Sequence, residues 1–368
     1  MQTSGDLLHT VTSENIPPAR QALGRVLIWG SGALLAAMFL AQSLYVSELT
    51  GIGFANWRPV LYAFVLWSVC LCWGGVLGRG EQGKRALFVL PAVLFVVSMV
   101  VFPLLFGILI AFSDWNLASL DGRKFNGLDN LRQMWSDTFY WNALRNMVYY
   151  VLAIAGEYLV AFGLALLLSQ QIVARKFFRV AFLMPLMLSP VAVSWMIGKS
   201  MMEVRFGPLA NLAKAIGFEN PSFFSDPVVA RTTMMLLDAW TWIPLMMVIL
   251  LAGLQSLDKE VMEAARVDGA NRWQTFWEVT FPLMLPVSIT AILIRVIFKL
   301  KLADIVINVT SGGPGGATDS VTSFIYREYR DRSNVGYGTL LAMVYLVIII
   351  IFITLLLKFV NRFLQRPM

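Results

Sequence analysis

The sequence predicts an all-α, polytopic membrane protein with eight transmembrane helices. The first observation behind this is composition. Of 368 residues, 58% are hydrophobic and only 14% are charged, about half the charged share of a soluble domain. Such a chain lacks the polar groups to cover its own apolar surface in water. The second is length: the hydrocarbon core is about 30 Å thick and a helix rises 1.5 Å per residue, so about 20 apolar residues make one crossing. Eight stretches meet that requirement: Val26–Val46, Pro59–Gly78, Ala86–Phe112, Asn146–Leu168, Val180–Met201, Thr232–Leu254, Leu283–Ile305 and Gly338–Phe363. The third is where the cations fall.

Lysine and arginine in short loops report orientation, because they stay on the cytoplasmic side. Arg79, Lys84 and Arg85 follow the second stretch, and Arg175, Lys176 and Arg179 follow the fourth. The connection between the first two holds only Arg58. With Arg20 and Arg25 ahead of the first stretch and Arg362 and Arg366 after the last, both termini are expected in the cytoplasm. The net charge of +7 is thereby assigned to lipid headgroups and topology, and not to nucleic acid. The first stretch, followed by Ala41–Ser43, has some marks of a signal peptide. Its long polar leader with Asp6 and Glu14 favours a retained anchor.

The loop Gly78–Arg85 is the expected boundary between residues 1–85, a cytoplasmic tail with two accessory helices, and a six-helix core over 86–368. Gly78–Lys84 fits the first seven positions of a phosphate-binding loop, but Arg85 stands where Ser or Thr would hold magnesium. It also lies between two apolar stretches and not at a strand-to-helix turn, so it reads as a positive-inside loop. Cys70 and Cys72 share one apolar stretch with no further ligands, which gives no metal site. One histidine, His9, leaves little room for histidine catalysis. No nucleophile elbow, zinc-protease motif or dinucleotide fingerprint is present. The expectation is a non-enzyme that binds no cofactor.

The segment 258–279 carries the clearest chemistry. Asp258, Glu260 and Glu263 stand early in a helical pattern, where a helix dipole favours acids. Gly269 can close that helix with positive φ. Trp273, Phe276 and Trp277 give the following segment an apolar face at helical spacing. Small Ala264, Ala265 and Ala270 let another surface come close. The pattern is a docking element; an amphipathic helix lying on headgroups would present a basic face, whereas this one mixes acids and bases.

Glu263, Ala264, Ala265, Asp268, Gly269, Ala270, Pro282 and Pro286 resemble the EAA loop of the permease subunits of carbohydrate ATP-binding-cassette (ABC) importers. Phe125–Asn130, Asp137, Trp141–Asn146, Phe178–Pro185, Gly207, Asn211 and Ser311–Pro314 are similar to further signatures of maltose-type permeases. The resemblance covers roughly Ala86 to the C-terminus and implies a six-helix type I importer core. The first two stretches resemble the N-terminal extension of the larger maltose permease, without its inserted periplasmic domain. The resemblance implies a second homologous permease in a heterodimer, two ATPase subunits that use ATP and magnesium, and a periplasmic solute-binding protein. The segment 258–279 would then sit in a groove on an ATPase. Long outer loops, 113–142, 202–231 and 306–337, suit contact with the binding protein.

Ionisable groups at membrane depth cost several kcal/mol unless paired or facing water. Glu157, Asp238, Arg295 and Lys299 are such groups, and Lys299 lies one turn beyond Arg295 on the same face. The maltose-type frame implies that Asp238, Thr241, Trp242, Phe298 and Lys299 stand at pocket positions, with Ser189 and Ser194 in a wall. No matched pocket position supports Glu157. Arg295, Lys299 and nearby Lys301 would suit an acidic sugar. Alternatively, Asp238 pairs with Lys299 and fixes helix packing, leaving a site for neutral polyols. A stand-alone ion-coupled secondary transporter is the competing function, although it would need no docking loop and would often show inverted repeats. A membrane enzyme would need a catalytic acid pair or metal ligands at a membrane face.

Overall fold

The computed structural model describes residues 16–47, 49–120, 122–219 and 221–364. His9, Asp6, Glu14 and Arg366 lie outside the described residues. The described chain is mostly helical, with one hairpin of two-residue strands pairing Ser113–Asp114 (β1) and Lys124–Phe125 (β2). It divides into two units: the described residues up to Leu131 with Asn334–Leu340, and Arg132–Ser333 with the described residues from Leu341 onward.

In the first unit, α1 (Pro18–Val46) packs on α2 (Arg58–Val96), which continues through a π-helical turn into α3 (Phe102–Ala111). Among the described residues, six helical segments are long and apolar enough to cross a membrane, plus one bent pair; the sequence reading has eight crossings. The difference lies in the second and third stretches, which form one helical segment of 54 residues, Arg58–Ala111. The expected loop Gly78–Arg85 is helical except at Gly80, where φ is +54°. The segment is nevertheless not straight. A Cβ placed on Gly83 would lie 2.1 Å from the carbonyl oxygen of Gly75, whereas residues eight apart in a straight helix are separated by about 12 Å. The chain therefore doubles back at Gly80. Ser68, Cys72 and Trp73 on one limb face Pro91 and Leu94 on the other across a cavity of about 350 Å³. Only glycine lets α1 approach α2 as it does: a Cβ on Gly24 would lie 2.6 Å from the Gly74 carbonyl oxygen. Between the two helices, Gln42 is buried and bonds the backbone of Phe54 in both directions, at 2.8 and 3.1 Å.

The second unit is built around α5 (Thr138–Ser169), α9 (Pro227–Ser256) and α12 (Phe281–Leu300). Each start has a physical cause. Asp137 accepts from the backbone of Phe139 and Tyr140, and Asp226 accepts from Val228 and Val229 ahead of Pro227; both are N-caps of a favoured type. Beside them, α6 (Arg175–Met187) and α7 (Pro190–Val193), with its π-helical continuation Ser194–Met201, form a span bent by 94°. Pro190 explains the stop: the residue before a proline is pushed out of the helical region, and Ser189 is extended at ψ 146°.

The second unit's end near α13 (Asp304–Val309) and α14 (Val321–Arg330) is closed by the loop 310–320. From α5, Asn142 and Asn146 donate to Gly316 O at 2.7 and 2.9 Å, and the Tyr150 hydroxyl donates to Thr318 O at 2.7 Å. From α9, Arg231 donates to Ala317 O at 3.1 Å. The hub is buried Asp319, which accepts from Ser323 and pairs with Arg327. Gly312 packs directly on that carboxylate; a Cβ there would lie 2.3 Å from Oδ1, and its φ is +86°. Burial outweighs the Arg327 and Ser323 contacts and pushes the Asp319 carboxyl up to about 6 from 3.8. The folded state thus holds a proton between about pH 4 and 6 that the unfolded state has released. This stabilisation is complete below the unfolded value and is lost as pH rises through 6. Relative to Asp319→Asn, the parent is expected to lose roughly 3 kcal/mol across that window. Thermal unfolding of both proteins in detergent between pH 4 and 7 measures this; parallel pH profiles would contradict it.

Candidate functional site

Three helices bring four charges together inside the second unit. Glu157 comes from α5, Asp238 from α9, and Arg295 and Lys299 from successive turns of α12; none is more than 3% exposed. Arg295 grips Glu157 with two donors, Nε at 2.6 Å and Nη2 at 3.2 Å, and its Nη2 also reaches Asp238. Lys299 Nζ donates to Glu157 at 2.8 Å and to Asp238. Two acids and two bases cancel, and every charge has partners on both sides. Isolated, each would be intolerable at membrane depth.

The sequence-predicted pocket residues divide on this geometry. Asp238, Arg295 and Lys299 do converge, but on each other and on Glu157. The alternative of an interior ion pair at Asp238 and Lys299 describes the contacts, with Glu157 and Arg295 added. A cue for Glu157 was available, since two cations on α12 need two counter-charges and Asp238 supplies one. Thr241 is buried and donates to Leu237 O within its own helix. Trp242 stacks on Phe298 with centroids 4.8 Å apart and 19° between planes. The Arg295 guanidinium lies 5.7 Å from the Trp242 ring, and Phe298 stays exposed. Ser189 accepts from Ala192 N, and buried Ser194 donates to Pro190 O at 2.7 Å. Both serines thus spend hydrogen bonds on the broken span. Next to that break is an apolar cavity of about 550 Å³, bounded by Leu164 of α5, Pro185 of α6, Met196 and Trp240 of α9.

Segment 258–279 has the pair of short helices around Gly269 that its residues predict. Asp258 caps α10 (Lys259–Val267), accepting from Glu260 N at 3.1 Å. Gly269 follows at φ +80°. Asn271 and Gln274 then form a reciprocal capping box that opens α11 (Arg272–Gln274), which runs through π-helical Thr275–Thr280 into α12. Nothing on α10 is buried. Glu263, Ala264, Asp268 and Gly269 are exposed, while Ala265 and Ala270 are half-buried. Val267 is 87% and Trp273 70% exposed, large apolar surfaces on a segment with acids and bases around them. Phe276 faces inward to Phe162, 5.8 Å away, and Trp277 meets both Trp273 and Phe276 edge-on. The element is thus anchored on α5 through one aromatic and presents the rest.

Residues 71–368 match the family described as binding-protein-dependent transport system inner membrane component. The chain belongs to that family. Among its relatives is the sulfoquinovosyl glycerol transport system permease protein of Agrobacterium fabrum, 29% identical over 273 residues, covering 74% of this chain and 88% of the relative. The trehalose/maltose transport system permease protein of Thermococcus litoralis is 27% identical over 278 residues, covering 75% and 93%. A chain in the crystal structure of a bacterial ABC transporter involved in import of the acidic polysaccharide alginate shares the fold, with TM-score 0.64 at 18% identity, covering 83% of this chain and 98% of that one. This family member is a membrane permease component and not an enzyme. Its buried cluster is expected to carry stability. Glu157→Leu leaves two cations with one acid and should cost about 3 kcal/mol. The double variant Glu157→Leu with Lys299→Leu should recover part of it. Thermal unfolding in detergent reads both; a Glu157→Leu protein as stable as the parent would remove the argument.

Proposed function

We propose that this permease forms part of the solute path of an ATP-driven importer for a sugar or sugar derivative, and that segment 258–279 couples it to a separate ATPase. The observation that carries the reading is the exposed helix–glycine–helix element joined without interruption to α12. A push on α10 or α11 moves the helix that holds Arg295 and Lys299. The names of the relatives support the solute class: they transport sulfoquinovosyl glycerol and trehalose or maltose.

The proposal includes eight crossings, two of them accessory N-terminal helices ahead of a six-helix core. The fold-back at Gly80 supports counting Arg58–Ala111 as two, since about 80 Å of helix cannot lie straight across a 30 Å core. An even count with Arg79, Lys84, Arg85, Arg175, Lys176 and Arg179 on the inner side supports the reading that both termini are cytoplasmic. A second homologous permease completes the path in a heterodimer. Two ATPase subunits use ATP and magnesium, and a periplasmic binding protein delivers solute. In the path, Trp242 and Phe298 offer the aromatic surface that sugars favour.

Proline cannot adopt the φ of Gly269, and Glu263→Arg inverts a charge on the exposed face. Both variants should insert and fold, yet lower uptake at least about tenfold. Solute-loaded binding protein should no longer stimulate ATP hydrolysis in either. Uptake and stimulation at parental levels in both variants would remove the coupling role.

A further inference from the structure

Two cations at the start of α6 are held unlike their neighbour. Arg175 and Arg179 stand one turn apart and are half-buried, whereas Lys176 is exposed. Their guanidinium groups converge on the last turn of α9. With its amide oxygen turned toward them, Gln255 accepts from Arg175 Nη2 at 2.9 Å and from Arg179 Nη2 at 3.2 Å. Arg175 Nε also donates to Leu168 O of α5 at 2.6 Å. Among the described residues neither arginine has a carboxylate partner, and Arg179 Nε is buried with no acceptor. Like charges at this spacing repel, and one neutral amide does not neutralise them. The arrangement calls for an anion, and a phosphate fits the planar fork of a guanidinium.

The groove between α6 and α9 turns apolar within one turn of these cations. On α6, Phe182 follows Arg175 and Arg179 at helical spacing; on α9, Met247 stands two turns before Gln255. Both line the cavity of about 550 Å³. Every residue lining that cavity is apolar, so it lacks the convergent polar groups that a saccharide needs. Its rim is open: Val160, Met184 and Trp240 are all exposed. Exposed Phe178 stacks on Phe182, with centroids 6.1 Å apart and 26° between planes, which carries the apolar track from the arginines to the cavity. A soluble anion or a partner's carboxylate would match the arginines alone. An amphiphile with a negative head matches both ends, and an inner-membrane protein is surrounded by such molecules. We infer that the α6–α9 groove is a phospholipid site, with the phosphate on Arg175 and Arg179 and an acyl chain in the apolar cavity.

The test is native mass spectrometry of the full transporter, purified in detergent and supplied with phosphatidylglycerol or with diacylglycerol, which has the chains without the phosphate. The parent should retain phosphatidylglycerol and release diacylglycerol. The double variant Arg175→Gln with Arg179→Gln should weaken retention at least about tenfold, the scale of one lost charge-assisted hydrogen bond. Lys176→Gln, which removes an exposed charge beside the site, should leave it unchanged. Ala181→Phe narrows the cavity with both arginines intact and should weaken retention as well. Parental retention in the double arginine variant overturns the inference, as does full retention in Ala181→Phe. A loss in Lys176→Gln equal to that of the double variant means that lipid follows surface charge, and the site falls. If the double variant sheds another subunit yet keeps its lipid, the arginines serve a protein contact and the inference falls again.

Discussion

The cost of charge in hydrocarbon governs the second unit. Four ionisable groups at the depth of α5, α9 and α12 have no water to solvate them, so they solvate each other. Arg295 suits the centre of such a cluster because its planar fork binds one carboxylate with two donors and still reaches another. Lys299 adds a point charge that touches both acids from the next turn. The cluster specifies register: sliding α12 by one residue would take both cations out of reach. Packing around it follows suit, with Tyr158 donating to Ser288 at 2.9 Å and Gly253 admitting Val287 and Met284 at close range.

From this cluster the constraint extends along α12 both ways. At one end, the Leu300 carbonyl accepts from Tyr345 at 2.8 Å and from Thr322 at 3.3 Å, and the Leu302 carbonyl accepts from Ser320. Tyr150 lies 5.9 Å from Lys299 and bonds loop 310–320 through its hydroxyl. At the other end, π-helical Thr275–Thr280 merges into α12 without a break. One helix therefore connects segment 258–279, the charge cluster and the closing loop, the continuity that the proposed coupling requires.

Much of this was legible in the residues. Gly269 marks the end of the first helix of segment 258–279 by local chemistry alone, and the structure has it at the expected positive φ. Asp137 and Asp226 likewise announce helix starts through self-contained caps. What was not legible depends on partners distant in sequence. Hydropathy flags Glu157 as charged but cannot say that it meets Arg295 across 138 residues. The family frame implies pocket positions for Asp238 and Lys299, and only the tertiary packing shows that the two also meet each other. Local pattern reads 78–85 as a loop from its charges and glycines, and the chain does reverse there, but through Gly80 alone with its neighbours helical.

That single departure bears on how the protein is made. The limbs flanking Gly80 touch through Gly75 and Gly83, so neither can be placed in a bilayer independently of the other. With the eight crossings proposed above, they would enter during synthesis as one helical hairpin, with Arg79, Lys84 and Arg85 at its tip. Dragging three cations through hydrocarbon is prohibitive, which holds the tip on the side where it emerged. In the eight-crossing proposal, a glycine turn with a cationic tip thus acts during insertion, holding the hairpin in the orientation in which it entered.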